Sequence, residues 1–278
     1  MTINCKGALI NLASPKVMGI LNLTPDSFYD GGKYKNSSDV LLQVEKMLTQ
    51  GATFIDVGAY SSRPGATDIS KDEELQRIVP IVELLLKNFP EALISIDTFR
   101  SKVASKCLET GACIVNDISA GKLDEAMLDV VFKHQVPYIM MHMKGTPQDM
   151  KNRADYTDIL KEMLHYFSER INAARAKKIN DVIIDPGFGF VKNTAQNFSV
   201  LESLNLFKTF DLPILSGLSR KSMIYKTLKT NPENALNGTT ALNMLALERG
   251  TNILRVHDVK EAIECVHLFN ELKPKNES

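Results

Sequence analysis

Eleven residues, Asn22-Leu23-Thr24-Pro25-Asp26-Ser27-Phe28-Tyr29-Asp30-Gly31-Gly32, gather oxygen ligands, a proline turn and paired glycines directly after the apolar run Val17-Met18-Gly19-Ile20-Leu21. A fully apolar run reads as a strand buried on both faces, and α/β proteins keep their chemistry in the loops at the carboxyl ends of such strands. The loop therefore points to a metal or phosphate site. A second set, Asp97, Asn116 and Asp185, stands at the ends of other apolar runs. Carboxylates beside a carboxamide can accept from and donate to the N–H-rich edge of a flat guanine-like or pterin-like ring.

Asp185 opens Asp185-Pro186-Gly187-Phe188-Gly189-Phe190, where the glycines let backbone and rings come close to a ligand; Phe190 as simple core is the equal alternative. Further on, Ser216-Gly217-Leu218-Ser219-Arg220-Lys221-Ser222 combines small residues, hydroxyls and cations at a helix start, expected near Met223. Backbone N–H groups and cations there make an anion site, and cations at that end oppose the helix dipole, which argues for a ligand. Arg255 and His257 lie two apart on one strand, so both face the same side and form a second cationic patch suited to phosphate or diphosphate. The segment Gly58-Ala59-Tyr60-Ser61-Ser62-Arg63-Pro64-Gly65-Ala66 again mixes glycine, hydroxyls and arginine around a turn. Asp56 and Asp117 are expected to cap helices or support loops, and His142 to be structural. No Ser/His/Asp or Cys/His arrangement emerges from these motifs.

Eight short apolar runs must position these groups: 17–21, 53–57, 93–96, 113–115, 137–141, 182–184, 213–215 and 252–256. Between them lie segments of helical period, such as Val40-Leu41-Val44-Met47-Leu48, Ile78-Ile81-Val82-Leu85 and Ile159-Met163-Tyr166-Phe167-Ile171. Strand then helix, repeated eight times, predicts a single (β/α)8 TIM barrel over residues 1–278. Gly51, Gly111 and Gly250 fall where helix C-caps need the left-handed conformation. No Gly-x-Gly-x-x-Gly follows the first strand, which weighs against an open nucleotide-binding sheet. Residues 1–14 read as a short hairpin able to plug the barrel floor, and 273–278 as a fraying tail.

The 33 basic and 33 acidic side chains cancel, with no run of like charge, so neither nucleic acid nor an anionic membrane is expected as a partner. No apolar stretch approaches the ~20 residues of a membrane helix, and the amino terminus lacks a signal-peptide pattern; the chain is expected in the cytoplasm. Cys5, Cys107, Cys113 and Cys265 show no metal or redox spacing and are expected to be free thiols, the first in a region of poor core character.

Taken in order, the motifs resemble dihydropteroate synthase. They are Met18-Gly19-Ile20-Leu21-Asn22-Leu23-Thr24-Pro25-Asp26-Ser27-Phe28, Ser61-Ser62-Arg63-Pro64-Gly65-Ala66, Asp97-Thr98, Asn116-Asp117-Ile118, Met141-His142-Met143, Asp185-Pro186-Gly187-Phe188-Gly189-Phe190, Ser219-Arg220-Lys221-Ser222 and Arg255-Val256-His257-Asp258. The resemblance implies condensation of (7,8-dihydropterin-6-yl)methyl diphosphate with 4-aminobenzoate, giving 7,8-dihydropteroate and diphosphate for folate synthesis. It implies a sulfonamide target, a Mg²⁺ cofactor and a homodimer formed through the later barrel helices.

By that resemblance, Asp97, Asn116, Asp185 and Lys221 hold the pterin, with Met140, Phe190 and Gly217 beside it. Asn22 ligates Mg²⁺ together with diphosphate oxygens, and Ser62, Arg63, Arg255 and His257 bind the diphosphate. Ser222 receives the carboxylate of 4-aminobenzoate, with Phe28, Pro64 and Lys221 around its ring. Asp97, Lys221, Arg255, His257, Asp30 and Arg63 are the expected catalytic residues, with Phe28, Asp30 and Gly31-Gly32 acting as a cover that closes with the Arg63 loop. The chain departs from the family at Ala59, Tyr60 and Ser62, where Gly, Glu and Thr are commoner. Two alternatives stand beside this reading: a corrinoid methyltransferase-type pterin barrel, for which no Asp-x-His-x-x-Gly motif is found, and a non-catalytic pterin-binding paralogue, suggested by Tyr60.

Overall fold

The computed structural model describes residues 1–23, 37–60, 68–146 and 154–272. Strands β1 (Thr2–Cys5) and β2 (Ala8–Asn11) form the expected antiparallel hairpin around Lys6 and Gly7. Eight parallel strands follow: β3 (Lys16–Asn22), β4 (Phe54–Gly58), β5 (Leu93–Asp97), β6 (Ile114–Asp117), β7 (Tyr138–Met141), β8 (Val182–Asp185), β9 (Leu215–Ser216) and β10 (Ile253–Val256). They are bonded in the order β8-β7-β6-β5-β4-β3-β10-β9, and a bridge between Ile184 and Ile214 joins the two ends into the barrel. The seventh barrel strand is later and shorter than the apolar run suggests. Pro213 has no N–H to give, and the Ile214 N–H goes to Asn252 Oδ1 at 2.9 Å instead of to a neighbouring strand.

Around the sheet lie α1 (Ser37–Thr49), α2 (Lys71–Asn88), α3 (Ser101–Thr110), α4 (Met127–His134), α5 (Ile159–Ala176), α6 (Thr194–Glu202), α7 (Ser222–Thr227), α8 (Leu236–Glu248) and α9 (Val259–Leu272). The helical stripes seen in the sequence are the faces turned to the sheet: Val40, Val44 and Met47 of α1, and Ile78, Val82 and Leu85 of α2, are buried there. Gly111 ends α3 at φ +129°, and its N–H closes onto the carbonyls of Cys107 and Leu108, the cap that its place in the sequence predicts. No helix among the described residues is long and apolar enough to cross a membrane.

Side chains alternate across each strand with period two, and this sorts the barrel interior into layers. Met18, Phe54, Ile114, Ile139, Ile183, Leu215 and Ile253 point inward and pack with Ile3, Cys5 and Leu12 of the hairpin and with Leu93. The hairpin thus plugs the floor. Cys5 is buried in that plug, contrary to the poor core character read from its surroundings; all four cysteines are buried free thiols. Two residues further along, the same inward face reads Ile20, Asp56, Ser95, Asn116, Met141, Asp185, Gly217 and Arg255. An apolar floor supports a largely polar layer.

Candidate functional site

Arg255 organises that layer. Its Nε donates to Asp56 Oδ2 at 2.6 Å and its Nη2 to Asp97 Oδ2 at 2.7 Å, while Asn116 Nδ2 donates to the same Asp56 oxygen at 2.9 Å. Asp97 and Asn116 are register partners on neighbouring strands, which sets the carboxylate beside the carboxamide as a flat ring would require. Burial disfavours charge on Arg255, but the Asp56 and Asp97 carboxylates outweigh it and hold its proton more tightly than usual. Burial pushes the Asp97 carboxyl up; Arg255 opposes this, and the Asp56 charge adds to it.

Asp56 is therefore not a cap. It is wholly buried inside the barrel, and its Oδ1 makes no hydrogen bond among the described residues. Its position two residues beyond inward-facing Phe54 was the signal that places it there. Asp117, one residue out of phase with Asn116, faces the helices and supports a loop as expected. It accepts from the Ser119 N–H and hydroxyl, the Gly121 N–H and the Tyr138 hydroxyl.

The same parity corrects Met140. It packs, fully buried, in the shell between sheet and helices, so it cannot touch a ligand at the barrel mouth. Met141, in register with Asp185, joins Ile118, Met143, Val191 and the half-buried Phe190 in a small apolar cluster at the mouth. A strand buried on both faces has no hydrophobic alternation, so its parity is not readable from the run alone.

At the end of β8, burial also pushes the Asp185 carboxyl up, while the Gly187 N–H, bonded to Asp185 Oδ1 at 2.7 Å, and the cations Lys221, Arg255 and Lys192 pull it down. Gly187 has φ +69°, and a Cβ there would lie 2.6 Å from the His142 carbonyl, so only glycine fits. Lys221 sits at the N-cap of α7, its Nζ 4.4 Å from the centre of the Phe190 ring, which brings two expected pterin residues together. Ser222 begins α7, one residue earlier than expected. His142 is structural: buried, it packs edge-on against Tyr166 and takes a hydrogen bond from Lys192.

The Ser-Arg-Lys-Ser segment divides its labour. Arg220 is not an anion binder, because both Asp258 oxygens take its Nε and Nη2 at 2.8 Å and the carbonyls of Pro232 and Glu233 take Nη1. Ser219 meets His257 twice: its Oγ accepts the His257 backbone N–H at 3.2 Å and lies 3.0 Å from Nδ1. With the hydroxyl proton directed to Nδ1, the imidazole carries its own proton on Nε2.

Sequence reasoning missed a buried cluster behind Asp97. Glu74 of α2, wholly buried, accepts from Thr98 Oγ1 at 2.7 Å and from Arg100 Nη1 at 2.8 Å. Arg100 Nη2 also donates to the Ile69 carbonyl at 2.7 Å, and the guanidinium lies 4.9 Å from the centre of the Tyr60 ring. Tyr60, the residue that departs from the family pattern, is thereby a packing partner of Arg100 and of Phe99. Phe28, Asp30, Ser62, Arg63 and Pro64, and with them the expected cover, lie outside the described residues.

The model of the family described as pterin binding enzyme matches residues 18–257. Dihydropteroate synthase of Escherichia coli strain K12 is 41% identical over 270 residues, spanning 96% of this chain and 95% of its own length. The chain belongs to the dihydropteroate synthase family. Its fold is that of solved members: the Yersinia pestis dihydropteroate synthase with a sulfonamide drug complex has a TM-score of 0.93 at 39% identity, with 98% of each chain covered. The Xanthomonas albilineans dihydropteroate synthase with 4-aminobenzoic acid gives 0.90 at 35% identity, covering 99% of this chain and 98% of that one.

Within this family frame, the described residues contain no group of three or more His, Cys, Asp or Glu side chains placed to hold a metal. The donor set suits a magnesium ion that arrives on its substrate, since Mg²⁺ commonly takes one or two protein oxygens and fills its shell with phosphates and water. Asn22, inward-facing at the end of β3 and half-buried, offers such an oxygen.

Proposed function

We propose that this chain condenses (7,8-dihydropterin-6-yl)methyl diphosphate with 4-aminobenzoate, releasing diphosphate and forming 7,8-dihydropteroate for folate synthesis. Family membership makes it a transferase. The observation that carries the substrate assignment is the inward polar layer, in which Asp97, Asn116, Asp185 and Arg255 face one axis above an apolar floor. Asp97, Asn116 and Asp185 accept from and donate to the pterin edge, Lys221 adds charge, and Phe190, Met141 and Gly217 border the ring.

Arg255 and His257 bind the diphosphate. Among the described residues Arg255 Nη1 makes no hydrogen bond, so a guanidinium anchored at two nitrogens still has donors for a phosphate oxygen. Ser219 fixes His257 so that Nε2–H is the donor it offers. A bound Mg²⁺, held by Asn22 and diphosphate oxygens, would supply further positive charge against the leaving group. Electron release from the reduced pterin stabilises a cation at the exocyclic methylene as the C–O bond to diphosphate breaks, and the neutral amine of 4-aminobenzoate then attacks that carbon, forming the C–N bond and giving up one N–H proton to the departing diphosphate or water. The protein's task is electrostatic and positional, with no nucleophilic side chain required.

Ser222 receives the carboxylate of 4-aminobenzoate, with Phe28, Pro64 and Lys221 around its ring. Ser62 and Arg63 add diphosphate contacts, and Asp30 and Arg63 complete the catalytic set. A homodimer through the later helices is supported by Leu245 of α8 and by Leu268 and Leu272 of α9, which are exposed leucines on neighbouring elements. A cytoplasmic location fits the free thiols. Turnover of both substrates with Mg²⁺ tests the assignment; complete inactivity of pure, folded protein would overturn it.

A further inference from the structure

Lys192 has no role in the reading above, yet it is a buried cation set against the site. Its Nζ lies 3.0 Å from the Gly187 carbonyl, 3.1 Å from the Phe190 carbonyl and 3.1 Å from His142 Nδ1. An ammonium has three donors and no acceptor, so these three groups use it fully. His142 Nδ1 must then present its lone pair, which puts the imidazole proton on Nε2. Burial and the charges of Lys192, Lys144 and Lys122 hold His142 neutral, as that geometry needs.

The loop that these bonds gather carries three residues in left-handed backbone conformation. Gly187, Gly189 and Val191 have φ of +69°, +79° and +50°, and the left-handed region is unfavourable for a β-branched residue such as Val191. Asn197 ties another part of the turn, accepting the Gly189 N–H at 2.7 Å and donating to the Lys192 carbonyl at 3.0 Å. The Phe190 N–H closes onto the Gly187 carbonyl at 3.1 Å, and the Lys192 ammonium bonds the carbonyls of both residues, bracing the stretch that separates the Asp185 carboxylate from the Phe190 ring.

We propose that Lys192 is a positioning residue for the pterin substrate, holding residues 185–190 so that Asp185 faces the barrel axis and the Phe190 ring meets Lys221. The inference rests on the pterin assignment made above and deepens it. The charges facing Lys192 are Asp185 from β8 and Lys221 from the start of α7, with neutral His142 from the end of β7. Its ammonium therefore also favours an ionised Asp185, the form that accepts from ring N–H groups.

The test is initial-rate kinetics below pH ~7, where Lys192 carries its ammonium charge, on Lys192→Met and Lys192→Arg with Mg²⁺ and both substrates. Lys192→Met is expected to raise KM for the pterin diphosphate at least tenfold, while KM for 4-aminobenzoate at saturating pterin substrate stays within twofold. Lys192→Arg, which keeps charge and donors, is expected to recover most of that loss. A folded Lys192→Met with wild-type pterin KM would overturn the proposal, as would equal losses for both substrates. Should Lys192→Met fail to fold, Lys192→Gln decides: a three- to tenfold rise in pterin KM supports the role, and an unchanged value removes it. Calorimetric binding of the pterin diphosphate to wild type separates this inference from its premise. No binding to wild type refutes the pterin assignment itself, whereas binding that is undiminished in the variants refutes only the role of Lys192.

Discussion

Replacing Glu74 with leucine should destabilise the barrel severely, although residue 74 lies on a helix outside the sheet. The Glu74 carboxylate is wholly buried and takes hydrogen bonds from Thr98 Oγ1 at 2.7 Å and Arg100 Nη1 at 2.8 Å. Among the described residues its removal leaves the Arg100 guanidinium, 10% exposed, with Asp68 as its remaining ionic partner at 3.3 Å, and Asp68 is 63% exposed and so well screened by water. Breaking one side of a buried ion pair costs about 3–5 kcal/mol, because a charge is left in a medium that cannot solvate it. At about 2–4 °C per kcal/mol for a chain of roughly this length, the melting temperature of Glu74→Leu should fall by about 6–20 °C. The paired change Glu74→Leu with Arg100→Met removes both charges and should recover at least about half of the loss, since apolar replacements for a buried pair are often neutral. Urea denaturation followed by circular dichroism, run as a double-mutant cycle, measures the coupling. A single mutant within about 1 kcal/mol of wild type, or a double mutant no better than the single, would refute the reasoning.

Ser219→Ala removes both Oγ contacts to His257, and the loss of about 1–2 kcal/mol of hydrogen bonding should lower kcat/KM for the pterin diphosphate about 5- to 30-fold. Steady-state kinetics check this, and an unchanged value would mean that His257 needs no second partner. Stability should also depend on pH through Lys192, whose pKa burial lowers from 10.5 to about 7. Between these values the unfolded chain keeps the lysine proton and the folded chain does not, so the unfolded state binds more protons and stability rises with pH. Relative to Lys192→Met, wild type should therefore gain up to about 1.4 kcal/mol per pH unit above pH ~7 in urea denaturation. Parallel pH dependences of the two proteins would contradict that placement of the charge.

Much of the scaffold was legible because its signals are local. Apolar β-branched runs gave all eight barrel strands, the opening hairpin was readable around Lys6-Gly7, and Gly111 marked its helix end from position alone. The inward polar layer was legible where a polar residue interrupts an apolar run, as at Asp97, Asn116, Asp185 and Arg255. What escaped depends on partners distant in sequence or on strand parity. Asp56 becomes a site residue only through Arg255, 199 positions away, and Arg220 loses its anion-binding role to Asp258, 38 positions away. Met140 and Met141 cannot be told apart without knowing which faces the axis, and β7, buried on both faces, gives no alternation to read. Nothing in the sequence marks Lys192 and Glu74 as buried, because burial is a property of the assembled fold.

The central claim is that the inward polar layer of the barrel is the pterin site, and calorimetric titration of the pterin diphosphate into wild type, Asp185→Asn and Asp97→Asn tests it most directly. Each substitution removes an acceptor for a ring N–H in a buried site, where a hydrogen bond to a charged group contributes about 1.5–3 kcal/mol. Affinity should therefore fall about ten- to hundredfold in each variant, with melting cooperativity retained. Wild-type affinity in both variants would place the pterin elsewhere and contradict the account.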